Sequence, residues 1–250
     1  MDVERFLAEL PARFDDFPRS EHPRAAGSVT GEAGDARQED RGAYGTPGRR
    51  FDDVIASIPN LATENVLALL NVAASLLGPG ESYVEVGTYY GASLIGAMRG
   101  NGGDFVAIDA FVFGETEVRG RKLPPASRPG LEENLHRFGS GGATILEGDA
   151  FEVIEGGALG DRRVGVYYYD GPHRYEDQLR GLRAIEPWLA DEALLIVDDA
   201  EWEQVARATK DYLAGQPRAR LLLDIPGEAG GAVQWWDGVA VLGWLRSRRP

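Results

Sequence analysis

The chain has 250 residues, no cysteine, 43 % hydrophobic residues and a formal net charge of −14. This length and apolar content suffice for one large α/β domain. The lack of cysteine excludes disulfides and thiolate sites, and the acidic balance argues against a nucleic-acid partner because phosphates would be repelled. No apolar run approaches the roughly 20 residues of a membrane span, and the first residues lack a signal-peptide pattern. We therefore expect a cytoplasmic enzyme without a membrane partner.

The first fifty residues differ in composition from the rest of the chain. Residues 1–18 predict a short helix. Its apolar side chains lie on one side, at Val3, Phe6, Leu7 and Leu10. Residues 18–50 are rich in glycine, alanine and charged residues, which is typical of a mobile segment. We therefore predict a mobile N-terminal arm or lid at 1–50 and an ordered domain at 51–250.

From residue 63 onward, apolar runs alternate between helix and strand patterns. Thr63 as a cap and a glycine–proline stop at 78–80 predict a buried helix between them. Further helices are predicted at residues 92–98, 131–138, 150–154, 175–188 and 202–213. Strands are predicted at residues 82–86, 105–108, 143–147, 164–169, 193–197, 221–225 and 239–245. The alternation indicates an α/β fold with a doubly wound, mostly parallel seven-stranded sheet, closed by an antiparallel C-terminal hairpin.

The turn after the first of these strands contains two glycines, Gly87 and Gly91. Glycine permits a tight turn and a close approach of the backbone to a ligand. The G-x-x-x-G spacing is neither that of dinucleotide sites nor that of P-loops. Glu85 precedes the turn, and an acid there favours an amine-bearing or cationic cofactor over a phosphate. The other loop residues expected at the cofactor are Thr88, Tyr89 and Ser93.

The next two strands also end in acidic residues. Asp109 is placed to accept hydrogen bonds from both hydroxyls of a ribose. Asp149 has two interpretations, a cap of the following helix or a contact with an adenine amino group. Because Glu85, Asp109 and Asp149 lie at successive strand ends, we expect a nucleoside to lie across them.

Two later apolar runs end abruptly in aspartates, in Tyr169-Asp170 and in Val197-Asp198-Asp199. Ligands bind where the carboxyl ends of parallel strands emerge, so neighbouring strands would bring the three aspartates together. Clustered carboxylates repel one another unless a cation lies between them, and oxygen ligands suit Mg²⁺ or Mn²⁺. The alternative is that aspartates are common at strand ends and in turns.

Taken together, these motifs resemble class I S-adenosylmethionine-dependent methyltransferases over about residues 63–245. More narrowly, they resemble the metal-dependent O-methyltransferases, both the catechol type and those acting on small molecules and sugars in antibiotic biosynthesis. This resemblance implies the Rossmann-like methyltransferase fold for the domain at 51–250. It rests on the glycine loop, on Asp109 and Asp149, on Asp170-Gly-x-His173-x-Tyr175 and on the final aspartate pair.

The resemblance implies a role for each matching residue. Gly87 and Gly91 would border the methionine part of the cofactor, Asp109 would bind the ribose, and Asp149 with Ala150 would face the adenine. The metal ligands would be Asp170, Asp198 and Asp199, with Asp170 also beside the cofactor. His173 stands where the catechol enzymes carry a lysine base, which makes it the candidate general base.

The expected reaction is methyl transfer from S-adenosylmethionine to a hydroxyl of a small molecule, with Mg²⁺ or Mn²⁺ as second cofactor. The adjacent Asp198 and Asp199 favour a sugar on a natural product or nucleotide-sugar, and a catechol or phenol is the alternative acceptor. Other classes remain open, namely a nicotinamide-dependent oxidoreductase on a related fold, a nucleoside-binding module and a hydroxylase on the same sheet. We also expect a homo-oligomer, a dimer or larger.

Overall fold

The computed structural model describes residues 1–13, 51–118, 120–139, 141–229, 232–233 and 235–245. Residues 14–50 of the arm predicted at 1–50 lie outside the described residues, so the mobility of the arm stays a prediction. The predicted N-terminal helix is present as α1 (Val3–Arg13). Its residues Val3, Phe6 and Leu10 are buried in the main hydrophobic cluster, so this helix packs on the body of the protein.

The helices that follow agree closely with the predicted ones, apart from α2 (Asp52–Ser57), which was not predicted. They are α2 (Asp52–Ser57), α3 (Glu64–Ser75), α4 (Ala92–Met98), α5 (Arg128–Phe138), α6 (Ala150–Glu155), α7 (Tyr175–Ala184) and α8 (Glu203–Gly215). Thr63 caps α3 as expected, because its hydroxyl accepts a hydrogen bond from the Val66 amide at 3.4 Å. The prediction for α7 was too long. A short 3-10 helix, Glu186–Trp188, follows it, because Pro187 cannot continue an α-helix.

A seven-stranded sheet forms the centre of the molecule. Its strands are β1 (Glu81–Val86), β2 (Asp104–Asp109), β5 (Thr144–Glu147), β6 (Arg163–Tyr169), β7 (Leu189–Asp198), β8 (Ala219–Ile225) and β11 (Val239–Trp244). Their spatial order is β5-β2-β1-β6-β7-β11-β8. The first five pair in parallel, and β11 runs antiparallel to both β7 and β8. The predicted fold, the doubly wound Rossmann-like methyltransferase fold with an antiparallel pair at its end, is confirmed.

Two short hairpins were missed by the sequence analysis. One, β3 (Thr116–Val118) with β4 (Arg121–Leu123), lies in the segment between β2 and α5. The other, β9 (Glu228–Ala229) with β10 (Ala232–Val233), lies in the glycine-rich connection before β11. Strands this short carry no alternating pattern that would distinguish them from a loop.

The topology fixes where a ligand can bind. From β1 the chain proceeds outward to β2 and β5, and it then returns to the other side of β1 for β6 and β7. The change of direction leaves a crevice between the carboxyl ends of β1 and β6, which is where open α/β sheets bind ligands. In register, Val86 pairs with Ile108 and with Tyr169, so the loops after β1, β2 and β6 emerge side by side. Among the helices of the described residues, none combines the length and the apolarity needed to cross a bilayer.

Candidate active site

The glycine loop after β1 lies directly against the loop after β6. Gly87 has a φ of +83°, and a Cβ added there would lie 1.9 Å from the carbonyl oxygen of Asp170. Gly91, with a φ of +86°, would place its Cβ 2.5 Å from a methyl group of Leu131 in α5. Both positions therefore require glycine, for backbone conformation and for space. Between them Tyr89 adopts a φ of +54° without being glycine, and such conformations are concentrated at functional sites.

Glu85 supports this loop from the interior. Its side chain is fully buried, and its carboxylate accepts hydrogen bonds from the hydroxyls of Ser93 and Tyr83, both at 2.7 Å. Burial raises the pKa of Glu85 to about 7, although these hydrogen bonds oppose the rise. The side chains of Glu85 and Ser93 are hydrogen-bonded to each other. Their predicted contacts with a cofactor stay predictions.

Asp109, at the end of β2, holds two backbone segments. Its carboxylate accepts a hydrogen bond from the Tyr89 amide at 2.7 Å and, on the other oxygen, from the Phe111 amide at 2.6 Å. Each carboxylate oxygen can accept a further hydrogen bond. The carboxylate is thus fixed beside the glycine loop with capacity left for two hydroxyls, which fits the predicted ribose contact without testing it.

Asp149 caps α6, the first of its two interpretations. Its Oδ1 accepts hydrogen bonds from the amides of Phe151 at 2.9 Å and Glu152 at 3.1 Å. Both bonds fall on one oxygen of the carboxylate. The predicted contacts of Asp149 and Ala150 with adenine stay predictions.

The aspartates after β6 and β7 come together with a histidine. Asp170, His173 and Asp199 each offer one ligand atom, and these three atoms lie within 4.8 Å of one another. The Nε2 atom of His173 lies 3.6 Å from a carboxylate oxygen of Asp170 and 3.4 Å from one of Asp199. This donor set of two carboxylates and one imidazole fits a divalent cation. Of the three aspartates expected to lie together at these strand ends, Asp170 and Asp199 belong to this group.

Asp198, the third predicted ligand, is turned toward a tyrosine. Its Oδ2 accepts a hydrogen bond from the Tyr168 hydroxyl, whereas its Oδ1 is buried and makes no hydrogen bond. Asp198 does not belong to the group formed by Asp170, His173 and Asp199, and its role as a ligand stays a prediction. Tyr168 was not predicted. The signal was its place in β6, where every second residue shares a face and Tyr168 precedes Asp170 by two.

Burial and the neighbouring carboxylates raise the pKa of two of these aspartates. Burial, followed by the charges of Asp198 and Asp199, raises the pKa of Asp170 well above its usual range. Burial, followed by the charge of Asp199, raises the pKa of Asp198 to about 7, against the hydrogen bond from Tyr168. A cation bound between these groups would offset the repulsion.

The ring of Trp202 packs beside the acidic group, against His173. Trp202 is 48 % exposed, and its ring centroid lies 4.9 Å from that of His173. Its Nε1 donates a hydrogen bond to Asp237 at 3.3 Å. Trp202 is thus a rim residue, while Trp235 is fully buried.

The β3–β4 hairpin is attached to the glycine loop. The Tyr89 hydroxyl donates a hydrogen bond to the carbonyl of Pro124, and the Tyr90 hydroxyl donates one to that of Pro125 at 3.1 Å. The Tyr89 ring also contacts Phe113 edge-to-face, with centroids 5.6 Å apart. Sequence reasoning placed Tyr89 at the cofactor but missed this attachment, which no local pattern reveals.

Comparisons with known proteins agree with this geometry. Residues 84–200 match the family model described as a methyltransferase domain. A putative O-methyltransferase from Klebsiella pneumoniae is 19 % identical with a TM-score of 0.55, and the match covers 85 % of this chain and 97 % of that one. No curated protein matches the sequence.

Two further solved structures share the fold. The O-methyltransferase from Bacillus cereus, solved with S-adenosylhomocysteine, is 13 % identical with a TM-score of 0.56, covering 84 % of this chain and 97 % of that one. The TDP-rhamnose 3'-O-methyltransferase of calicheamicin biosynthesis is 20 % identical with a TM-score of 0.52, covering 86 % and 89 %. The match runs from within β1 to just past β7, and together with the shared fold it supports a class I S-adenosylmethionine-dependent methyltransferase.

Proposed function

We propose that the protein is a metal-dependent O-methyltransferase that acts on a hydroxyl of a small molecule, specifically a sugar on a natural product or nucleotide-sugar. The observation that carries this proposal is the group formed by Asp170, His173 and Asp199, whose ligand atoms lie within 4.8 Å of one another. It lies at the same sheet edge as the glycine loop, in contact with it through Gly87 and Asp170.

The cofactor would lie across the ends of β1, β2 and β5. Asp109 would accept the ribose hydroxyls while it holds the Tyr89 amide. The contact between Gly87 and the Asp170 carbonyl would bring the methionine end of the cofactor next to the acidic group. Such proximity is what in-line methyl transfer requires.

The acidic group would hold the divalent ion and the acceptor. When bound, the ion would lower the pKa of an acceptor hydroxyl and orient it. On the protein side, Tyr168 fixes the carboxylate of Asp198, and Trp202 packs against the ring of His173. These contacts restrain the side chains before any ligand arrives.

A sugar acceptor is supported by two features. The chain has an Asp198-Asp199 pair where the resemblance to sugar-directed enzymes expects one, and a fold neighbour acts on TDP-rhamnose by its description. The exposed ring of Trp202 offers an apolar surface beside His173. A catechol remains the alternative acceptor, since it too presents adjacent oxygens.

The proposal is tested by measuring S-adenosylhomocysteine release with TDP-sugars and with catechol as acceptors. We expect turnover that EDTA abolishes and Mg²⁺ or Mn²⁺ restores. Asp170→Asn should abolish turnover, and Asp224→Asn, which changes an exposed acid in β8, should leave it unchanged. Full turnover in EDTA would reject the metal-dependent mechanism, and binding of NADH instead of S-adenosylmethionine would favour an oxidoreductase. The predicted homo-oligomer is checked by light scattering on the same samples.

A further inference from the structure

We propose that the Nε2 atom of His173 is itself a ligand of the divalent ion, together with the carboxylates of Asp170 and Asp199. A site of this composition takes Mn²⁺ or another first-row transition ion in preference to Mg²⁺. The inference rests on the proposed function for the presence of an ion, and it concerns the composition of the site. It gives His173 a role different from that of general base.

The distances suit coordination. Nε2 lies 3.6 Å from the Asp170 carboxylate and 3.4 Å from the Asp199 carboxylate. Two ligand atoms that each lie about 2.1 Å from one ion, at the angles of tetrahedral or octahedral geometry, are roughly 3.0–3.5 Å apart. The two distances from Nε2 are therefore within a few tenths of an ångström of those that a shared ion would set, and all three ligand atoms lie within 4.8 Å of one another.

The Nε2 atom of His173 is buried and makes no hydrogen bond within the described residues, and its polar neighbours are the two carboxylate oxygens. A buried polar atom without a partner is costly and calls for an explanation. A shared ion would supply the missing partner for this nitrogen.

The surrounding structure holds the imidazole in this position. The Trp202 ring packs against it at 4.9 Å, with the two ring planes inclined by 56°. Gly171 keeps the loop between Asp170 and His173 tight, since a Cβ there would lie 2.9 Å from the Tyr169 ring. Asp199 adopts a φ of +49°, which directs its side chain away from the regular path of β7.

Imidazole nitrogen changes which ion the site prefers. Carboxylate oxygens suit Mg²⁺ and Mn²⁺ alike, whereas a nitrogen ligand suits first-row transition ions and is uncommon for Mg²⁺. A neutral imidazole has a single lone pair on Nε2, so the atom cannot bind an ion and accept a proton at once. If His173 is a ligand, its substitution should weaken binding of the ion. If it is only a base, binding of the ion should not change.

The test is the binding of MnCl₂ and MgCl₂ to the full chain, purified without a polyhistidine tag, by calorimetry and by pulsed electron paramagnetic resonance of the Mn²⁺ complex. We expect tighter binding of Mn²⁺ than of Mg²⁺ and a nitrogen hyperfine coupling to Mn²⁺. His173→Ala should weaken Mn²⁺ binding at least about tenfold, affect Mg²⁺ less and remove the coupling. His136→Ala, which changes an exposed histidine on α5, should behave as the wild type.

His173→Gln provides a second variant with a neutral oxygen donor. It should also lose the nitrogen coupling while it keeps its Mg²⁺ affinity within a few-fold. A wild-type Mn²⁺ complex without nitrogen coupling, unchanged Mn²⁺ affinity in both variants, or no Mn²⁺ binding at all would overturn the inference. Methyl transfer assayed on the same samples separates the two proposals. Nitrogen-coordinated Mn²⁺ without turnover rejects only the proposed function, and turnover with a nitrogen-free spectrum rejects only the ligand role.

Discussion

Asp109 holds two backbone segments and is predicted to bind the ribose. Measuring both the affinity and the stability of one variant distinguishes these two roles. Asp109→Ala removes the acceptor for the amides of Tyr89 and Phe111 together with the predicted acceptor for the ribose. We expect S-adenosylmethionine affinity to fall by about 1.5–3 kcal/mol, the size of a lost hydrogen bond to a charged group. Calorimetry well below the unfolding temperature measures this loss. Lower thermal stability with unchanged affinity would restrict Asp109 to holding the loop.

Glu85 makes stability depend on pH. Its pKa is raised by burial from 4.5 to about 7 in the folded state, so the folded protein favours the neutral acid. This contribution to the free energy of unfolding is fully present below about pH 4.5 and is lost as the pH rises to about 7. At about 1.4 kcal/mol per pKa unit, the loss amounts to about 3 kcal/mol.

Glu85→Gln should remove this dependence, because the amide stays neutral and the hydroxyls of Tyr83 and Ser93 can donate to it or accept from it. The difference in unfolding free energy between variant and wild type should therefore shift in favour of the variant as the pH rises from about 4.5 to 7. Denaturant unfolding at a series of pH values checks the shift. Two parallel curves would show that Glu85 ionises normally.

At the scale of elements, the junction of β1 with β6 has no room for a side chain. Gly87→Ala would place a Cβ 1.9 Å from the Asp170 carbonyl, at a φ of +83°. Gly80 has a similar φ of +72° and nothing within 4 Å of an added Cβ, so Gly80→Ala isolates the conformational strain.

We expect Gly80→Ala to cost about 1 kcal/mol of unfolding free energy and Gly87→Ala at least about 3 kcal/mol, because it forces the two loops apart. Chemical denaturation of both variants measures the difference. Equal losses would mean that the loops separate without cost.

The β3–β4 hairpin depends on two tyrosine hydroxyls for its attachment to the glycine loop. The double variant Tyr89→Phe and Tyr90→Phe removes the hydrogen bonds to the carbonyls of Pro124 and Pro125 and keeps the rings. We expect faster amide hydrogen exchange at the hairpin and little change in the global stability, since the hairpin contributes few buried residues to the core. Tyr175→Phe, which alters an exposed hydroxyl bonded to Asp211, serves as the control. Unchanged exchange at 116–123 would contradict the attachment.

The main sheet was predictable because its strands are buried on both faces and alternate with helices. The boundaries of α4, for example, were predicted to the residue. The elements that were missed are short or lack periodicity, such as α2 with six residues and the β3–β4 hairpin. The end of α7 was misplaced because the apolar pattern continues past Ala184 while Pro187 ends the helix.

The candidate site was predictable to the level of which strand ends share an edge of the sheet, since alternating strands and helices place the carboxyl ends of parallel strands at the same edge. The orientation of individual side chains was not. Successive residues of a strand point to opposite faces, so Asp198 and Asp199 could not both turn toward Asp170 by regular geometry. Ile196 pairs with Tyr168 in register, and Asp198, two residues later, lies on the same face of β7 as Ile196. This shared face explains the hydrogen bond between Asp198 and Tyr168.

At the scale of the whole molecule, acidic side chains converge on one edge of a sheet in a protein whose net charge is already −14. Burial and mutual repulsion raise the pKa of Asp170 and of Asp198. A divalent ion that binds only the folded state stabilises it, by about 2.7 kcal/mol at a hundredfold excess over its Kd.

Mn²⁺ should accordingly raise the unfolding temperature of the wild type, with an increase that saturates at high concentration. Asp170→Asn should be more stable than the wild type without metal, because a neutral amide replaces a buried carboxyl that lies beside other carboxylates, and should gain little on metal addition. Differential scanning calorimetry with and without MnCl₂ checks both expectations. An equal gain in the variant would place the ion elsewhere.

The attachment of the β3–β4 hairpin through two proline carbonyls has a consequence for protein engineering. Main-chain carbonyls accept the two tyrosine hydroxyls, so these two hydrogen bonds do not depend on the exposed side chains of the hairpin. The exposed positions of this segment, such as Glu117 and Lys122, can therefore be randomised while Tyr89, Tyr90, the two prolines, Phe113 and Leu123 stay in place. Acceptor preference could then be selected in a library without rebuilding the cofactor site.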